Sequence, residues 1–124
     1  RKIQAIDITT HVEKCIPSDA SGLAHIFTPH TTVALTIGEA EDNLMKDLER
    51  VATHLLANCG PFQHIGKGNP NAPAHLLSNL VGVSMCVLVQ QGHIRMGTYQ
   101  RILLVELDGP RERQVNVTMI SSAA

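Results

Sequence analysis

Aromatic side chains are almost missing from this chain: two Phe, one Tyr and no Trp account for 2% of its 124 residues. The core must therefore be aliphatic, and the aromatic stacking platforms that hold single-stranded nucleic acid are excluded. Nor is there an excess of charge of either sign. Ten scattered Lys and Arg stand against eleven Asp and Glu, a formal net charge of −1, so the basic face that marks a nucleic-acid binder is absent. No apolar run approaches the ~20 residues of a membrane span, so no membrane partner is expected. No signal peptide is visible, and with Arg1 as the first residue the sequence is expected to continue upstream.

Cysteine is also scarce. Cys15, Cys59 and Cys86 are an odd number without CxxC spacing, so a disulfide framework is not expected and a reducing, cytoplasmic setting fits. Cys86 lies in an apolar run and reads as a core thiol, whereas Cys59, just before Gly60-Pro61, reads as the accessible one. What the chain does have is 44% hydrophobic residues and enough length for one domain with one core.

Periodicity places the elements. Leu23 to Thr28 and Thr32 to Ile37 read as strands joined at Pro29-His30, the second rich in β-branched residues. Glu39 to Asn58 reads as the main helix, with Leu44, Leu48, Val51 and Leu55 at helical spacing and acids Glu39, Glu41 and Asp42 at its positive end. Pro61 to Pro73 is loop, and a short helix from Pro73 to Val81 stops at Gly82. Strands are then expected at Ser84 to Gln90, Ile94 to Thr98, Ile102 to Leu107 and Gln114 to Ile120, the last two joined as a hairpin at Asp108-Gly109-Pro110. Strands without crossover helices imply an α+β fold: a mostly antiparallel sheet with two helices packed against it.

Histidine carries the chemical signal, with seven in the chain. His11, His25, His54 and His93 fall in regular elements or at a turn, where a surface or packing imidazole is the ordinary reading. His30 stands between two strands before Thr31 and Thr32. His64 lies in the long Gly/Pro loop, and long loops in compact domains are often functional. His75 falls in the first turn of the short helix, where backbone N–H groups near Ala74 favour an anion. Such imidazoles suit a divalent metal when neutral and a phosphate when protonated. Zinc needs about four ligands, and spacing alone does not show that these three meet. Asp47 could join them, although an Asp on a helix is ordinarily a solvated face. Gly66-Lys67-Gly68 lacks the Walker spacing, which rejects a P-loop. Asn116-Val117-Thr118 has the form of a glycosylation sequon, but it falls inside an alternating strand.

Three stretches resemble one known family. The most specific runs from Ser84 through Val87, Val89 and Gly92 to Gly97-Thr98-Tyr99-Gln100 and Ile102. The others are Pro29-His30-Thr31-Thr32 leading through Ile37-Gly38-Glu39 to Asp47-Leu48, and Asn71-Ala72-Pro73-Ala74-His75-Leu76 with Ser78, Leu80 and Gly82. Over nearly its whole length the chain resembles the YjbQ-like family, also called the secondary thiamine-phosphate synthase family. Members usually carry Trp where this chain has Tyr99 and more often Asn where it has Gly38. They also start about ten residues earlier, so most of a first strand before Asp7 is expected to be missing.

The resemblance implies an α+β fold on a β-sandwich-like sheet and a homotrimer with sites near subunit boundaries. It implies thiamine-phosphate synthase activity, joining hydroxymethylpyrimidine pyrophosphate to a thiazole phosphate with release of pyrophosphate. In that reading His30 and His75 are catalytic, as metal or phosphate ligands, with His64 as a third ligand. Asp47 orients a histidine or holds the metal, zinc or magnesium. Thr31, Thr32, Ser84, Thr98 and Gln100 supply polar contacts to a small phosphorylated substrate. Two alternatives belong to other classes: a metal- or phosphate-ligand-binding trimer with incidental catalysis, and histidines that only fill a subunit interface.

Overall fold

A computed structural model describes residues 2–65 and 70–122; the Gly66-Lys67-Gly68 stretch lies outside them. Seven strands form among the described residues. They are β1 (Gln4–Asp7), β2 (Gly22–Phe27), β3 (Val33–Gly38), β4 (Ser84–Gln90), β5 (His93–Arg95), β6 (Arg101–Glu106) and β7 (Asn116–Ser121). The helices are α1 (Thr9–Lys14), α2 (Asp42–His54) and α3 (Ala72–Val81). The strands make two sheets, ordered β1-β6-β3 and β5-β4-β2-β7, and every pairing is antiparallel.

The two sheets face each other across an aliphatic core. Ala24, Ile26, Val87 and Val89 come from the four-stranded sheet and Val33, Leu35, Ile102 and Leu104 from the three-stranded one, with Val12 and Ile16 closing one end. A second cluster covers the other face of the smaller sheet, where Ala34, Val105 and Leu107 meet Ala74 and Leu77 of α3, with Leu48 and Ala52 of α2 against them. The smaller sheet is thus buried on both faces, which is why β6 is one apolar run, Ile-Leu-Leu-Val. The four-stranded sheet keeps a bare outer face on which Leu23, Leu88 and Ile120 are exposed in neighbouring register positions. The α+β class with a β-sandwich of antiparallel strands is as the sequence implies.

Several expectations are corrected. The turn at Asp108-Gly109-Pro110 makes no hairpin, because β6 and β7 belong to different sheets. The chain leaves the smaller sheet there, with the Leu107 N–H donating to the Thr32 carbonyl and the Gly109 N–H to that of Lys2. Cys86 is exposed rather than a core thiol. Alternation along β4 turns Val87 and Val89 inward, so Cys86 and Leu88 face out. Helix α2 is shorter than Glu39 to Asn58, since Glu41 is its N-cap and its carboxylate accepts the Asn43 and Leu44 N–H groups. Among the described residues three helices form rather than two: α1, six residues long, is too short for a periodic signal, but Thr9 and Val12 are buried. Gln4–Asp7 does form a strand, paired with β6.

Candidate functional site

His30 follows the end of β2. The preceding Thr28 is fully buried, its N–H donating to the Val83 carbonyl (3.0 Å) and its hydroxyl to the Gln114 carbonyl (2.8 Å). In return the Gln114 N–H donates to His30 Nε2 (2.9 Å). A nitrogen that accepts carries no proton, so neutral His30 holds its proton on Nδ1. The segment before β7 is thereby latched onto the β2–β3 connection.

The same segment supplies two arginines. Arg113 lies almost buried against Glu106, with side chains 9% and 7% exposed. Its Nε donates to one carboxylate oxygen (2.6 Å) and its Nη2 to the other, while Nη2 also reaches the Thr32 hydroxyl at 2.8 Å. This fork-to-carboxylate geometry is the strong form of an ion pair. Arg111 binds Asp108 twice, through the carbonyl (2.9 Å) and Oδ2 (3.1 Å), and stays about half exposed at 49%.

Asp108 also receives Asn71, the N-cap residue of α3, whose Nδ2 donates to Oδ2 at 2.9 Å. The Asn71 amide oxygen in turn takes His64 Nε2 at 3.1 Å. The His64 ring stands edge-on to His75, their centroids 4.9 Å apart. Burial alone would raise the Asp108 carboxyl, but the Asn71 and Arg111 hydrogen bonds and the charges of Lys2 and Arg111 outweigh it and hold its pKa below the usual value. Glu106 is likewise lowered: burial opposes ionisation, and the Arg113 bonds with the Asp108 and Leu107 N–H groups overcome it. For Arg113 the partner's hydrogen bond raises the pKa, so the pair stays charged.

These contacts build one open, polar pocket of about 340 Å³, in which His30, Thr31, Thr32, Asn71, His75, Arg111 and Arg113 meet. The expected histidines therefore converge, His64 through its contacts with Asn71 and His75. Not every expectation holds in detail. Ala74 N–H is no donor for a ligand, since it bonds the Asn71 carbonyl at 3.0 Å, and Pro73 has none to give. Asp47 lies apart, in an apolar groove with Ile37, Leu44 and Val51. Ser84 is on the outer sheet face, beside Phe27 in the register.

Thr98 falls in a different polar pocket, with Asp7, Glu39, Glu41, Tyr99 and Arg101. Gln100 is used internally: its side-chain oxygen accepts the Gly97 N–H at 2.8 Å, and a Cβ on Gly97 would come within 3.2 Å of that oxygen. The Gly-Thr-Tyr-Gln motif is thus a self-closed turn that presents Tyr99, 72% exposed.

Among the described residues no three of His, Cys, Asp and Glu gather closely enough to hold a metal ion. With His30 Nε2 already engaged, one chain's donors do not fit zinc's need for at least three protein ligands. Asn71, Glu106, Asp108, Arg111 and Arg113 are the site residues that sequence reasoning missed. For the last four the signal was Glu106-x-Asp108 and Arg111-x-Arg113, two acids and two bases placed symmetrically about a Gly-Pro turn; Asn71 lay in a motif segment without being assigned a role.

A β-sandwich with helices on one sheet and a polar pocket at the β6–β7 crossing defines the class of protein, and comparison supplies its family. Residues 1–122 match the family model described as UPF0047 protein YjbQ-like, and the chain belongs to that family. It is 42% identical over 117 residues to a UPF0047 protein of Archaeoglobus fulgidus, covering 94% of this chain and 91% of that one. To the UPF0047 protein YugU of Bacillus subtilis it is 35% identical, over 97% and 92% of the two chains. The fold superposes on the crystal structure of a hypothetical protein from Aeropyrum pernix with a TM-score of 0.89 at 39% identity, covering 98% of this chain and 92% of the other. No helix among the described residues is long and apolar enough to cross a membrane.

Proposed function

We propose that the pocket between His30, His75 and Arg111 binds the phosphate groups of a small phosphorylated substrate, and that the chain is a thiamine-phosphate synthase-type transferase. The observation that carries this reading is the convergence of both histidine motifs with the Arg111–Arg113 segment on one polar pocket. In the reaction the thiazole nitrogen attacks the pyrimidine's exocyclic CH₂, a C–N bond forms, and the C–O bond to pyrophosphate breaks with its electron pair leaving on oxygen. The departing group gathers negative charge. Half-exposed Arg111 offsets it, and protonated His75 donates to it. His30, with Nε2 taken by Gln114, has Nδ1–H left to donate, which suits an anion better than a metal cation. Thr31 and Thr32 line the same pocket and orient the substrate.

The test is turnover on the two thiamine precursors by His75→Ala protein. Loss of turnover by at least about a hundredfold, with an unchanged melting temperature, is expected from removing a general acid; unchanged turnover would sink the reading. A second reading, a metal- or phosphate-ligand-binding trimer with only incidental catalysis, is favoured by the shallow, open form of the pocket and by the separation of Asp47 from it. A zinc or magnesium ion would then need ligands from another subunit. Stoichiometric metal in protein purified without a histidine tag, together with no turnover, would favour that reading.

Homotrimer assembly belongs to either reading. It is supported by the bare sheet face carrying Leu23, Leu88 and Ile120, which is larger in apolar content than an isolated surface residue and is a natural subunit contact. Leu88→Lys is expected to shift sedimentation from trimer toward monomer, and an unshifted trimer would place the contact elsewhere. The free cysteines, all exposed, fit a cytoplasmic location.

A further inference from the structure

An apolar cleft of about 250 Å³ opens at the edge of the sandwich, between α1 and β7. Its walls are Ile8 and Val12 on the α1 side, Leu104 of β6, and Val115 and Val117 at the start of β7. Ile8, Val12 and Leu104 are buried members of the core between the sheets, so the cleft is a gap in the edge of that core. Exposed His11 and Cys15 stand at its rim. Arg113 completes the lining and is the one residue that the cleft shares with the histidine pocket. Leu104 and Glu106 alternate onto the same face of β6, so the Arg113–Glu106 pair closes the cleft at that end.

The guanidinium at that end keeps one nitrogen unused. Of its five N–H donors, Nε is taken by Glu106, and Nη2 is divided between Glu106 and the Thr32 hydroxyl and carbonyl, at 2.8 and 3.1 Å. Nη1 has no partner among the described residues, although the side chain is only 9% exposed. The carboxylate lies against the Nε–Nη2 edge of a planar fork, so Nη1 points away from it. Two donors with so little access to water favour an acceptor oxygen. The positive charge, however, is already answered by Glu106. A second carboxylate would lose its hydration in the cleft without a free cation to replace it, whereas a neutral carbonyl oxygen meets the same N–H groups without that cost. We infer that the cleft binds a short aliphatic ketone or amide, its oxygen on Arg113 Nη1 and its chain against Val12, Leu104 and Val117. The volume limits the chain to a few carbons, since small-molecule pockets ordinarily run from roughly 300 to 1,000 Å³ and this one is smaller. The site goes beyond the phosphate reading and meets it only at the shared arginine.

Titration of the full chain with diethyl ketone and with valerate, followed in ¹H–¹⁵N correlation spectra, tests the assignment. The ketone is expected to shift the amides of Val12, Val115 and Val117 together with the Arg113 Nε–H. It should also bind at least about tenfold tighter than valerate, the least that desolvating an unmatched carboxylate costs. Val115→Phe, which fills the cleft from the start of β7, should weaken the ketone at least about tenfold. Equal affinity of ketone and carboxylate for the unaltered protein overturns the neutral-acceptor assignment. Absence of ketone shifts, or shifts scattered away from the cleft, overturns the site itself, and neither result needs a variant that must fold. Ketone binding untouched by Val115→Phe overturns it as well.

Discussion

Two polar pockets carry the family's motifs, and they are held in different ways. The pocket at His75 rests on Glu106 and Asp108, whose side chains are nearly buried, and each acid is matched by an arginine from the same short segment. The pocket at Thr98 gathers Asp7, Glu39 and Glu41 around Arg101, and the ion pair of Arg101 with Asp7 is 39% and 29% exposed. Burial decides what each pair does. Buried and bidentate, Arg113 fixes the backbone that carries His30; exposed, Arg101 only decorates a surface. A preorganised site needs the first kind of support, and of the two pockets the histidine pocket has it.

The contrast is sharpest in stability. Arg113→Ala would leave Glu106 buried without its partner and release Thr32, a loss of about 3–5 kcal/mol. Denaturant unfolding monitored by circular dichroism would measure it. A loss below about 1 kcal/mol would mean that water replaces the guanidinium, and the two pockets would then be alike.

Acid should remove the same support by protonation. Glu106, Asp108 and Asp7 all have folded-state pKa values below their ordinary ones. Their contribution is therefore complete above the ordinary carboxylate range, about pH 4, and is lost as pH falls through the lower folded values. Melting temperatures measured from pH 7 down to pH 2 should fall in that acid window. The fall should be shallower for Arg113→Ala, where the arginine no longer holds Glu106 ionised. Parallel curves for the two proteins would detach the Glu106 shift from Arg113.

How far the sequence reveals this arrangement depends on the kind of signal. Strand β4 and helix α3 were legible because alternation and a Pro-to-Gly frame are local, and His30 and His75 stood out beside specific motifs. The β6–β7 connection was misread because a Gly-Pro turn between two strands looks the same whether they pair or part. What parts them is Arg113 reaching back to Glu106 and Thr32, a contact that local pattern does not encode. Cys86 was misplaced because an apolar run, Met-Cys-Val-Leu-Val, hides its own alternation. Asp47 and Gln100 show the opposite error: both lie in motif segments, yet one faces an apolar groove and the other closes a turn.

Thr28 offers a finer probe. Its fully buried hydroxyl holds the Gln114 carbonyl, and Gln114 holds His30. Thr28→Val keeps the shape and removes one hydrogen bond, which costs about 1–2 kcal/mol. If the latch is what fixes His30, its imidazole ¹⁵N resonances should also move, because the Gln114 N–H no longer sits at a set distance from Nε2. A stability loss with unmoved resonances would show that Gln114 is held by other means.

Arg101→Ala should have the smallest effect, below about 1 kcal/mol, since an exposed ion pair is screened and costs side-chain entropy to hold. Asp7 has a second set of partners besides that arginine. Its Oδ1 accepts both the Thr9 N–H (3.0 Å) and the Thr9 hydroxyl (2.7 Å), and Thr9 in turn accepts the Ile102 N–H at 2.8 Å. This inner chain ties α1 to β6 and survives when the guanidinium is removed. Measured beside Arg113→Ala in the same denaturant series, the variant makes the comparison quantitative. A loss approaching that of Arg113→Ala would mean that the Thr98 pocket is as firmly built as the histidine pocket, and its tyrosine-bearing turn would then have an equal claim to be a binding site.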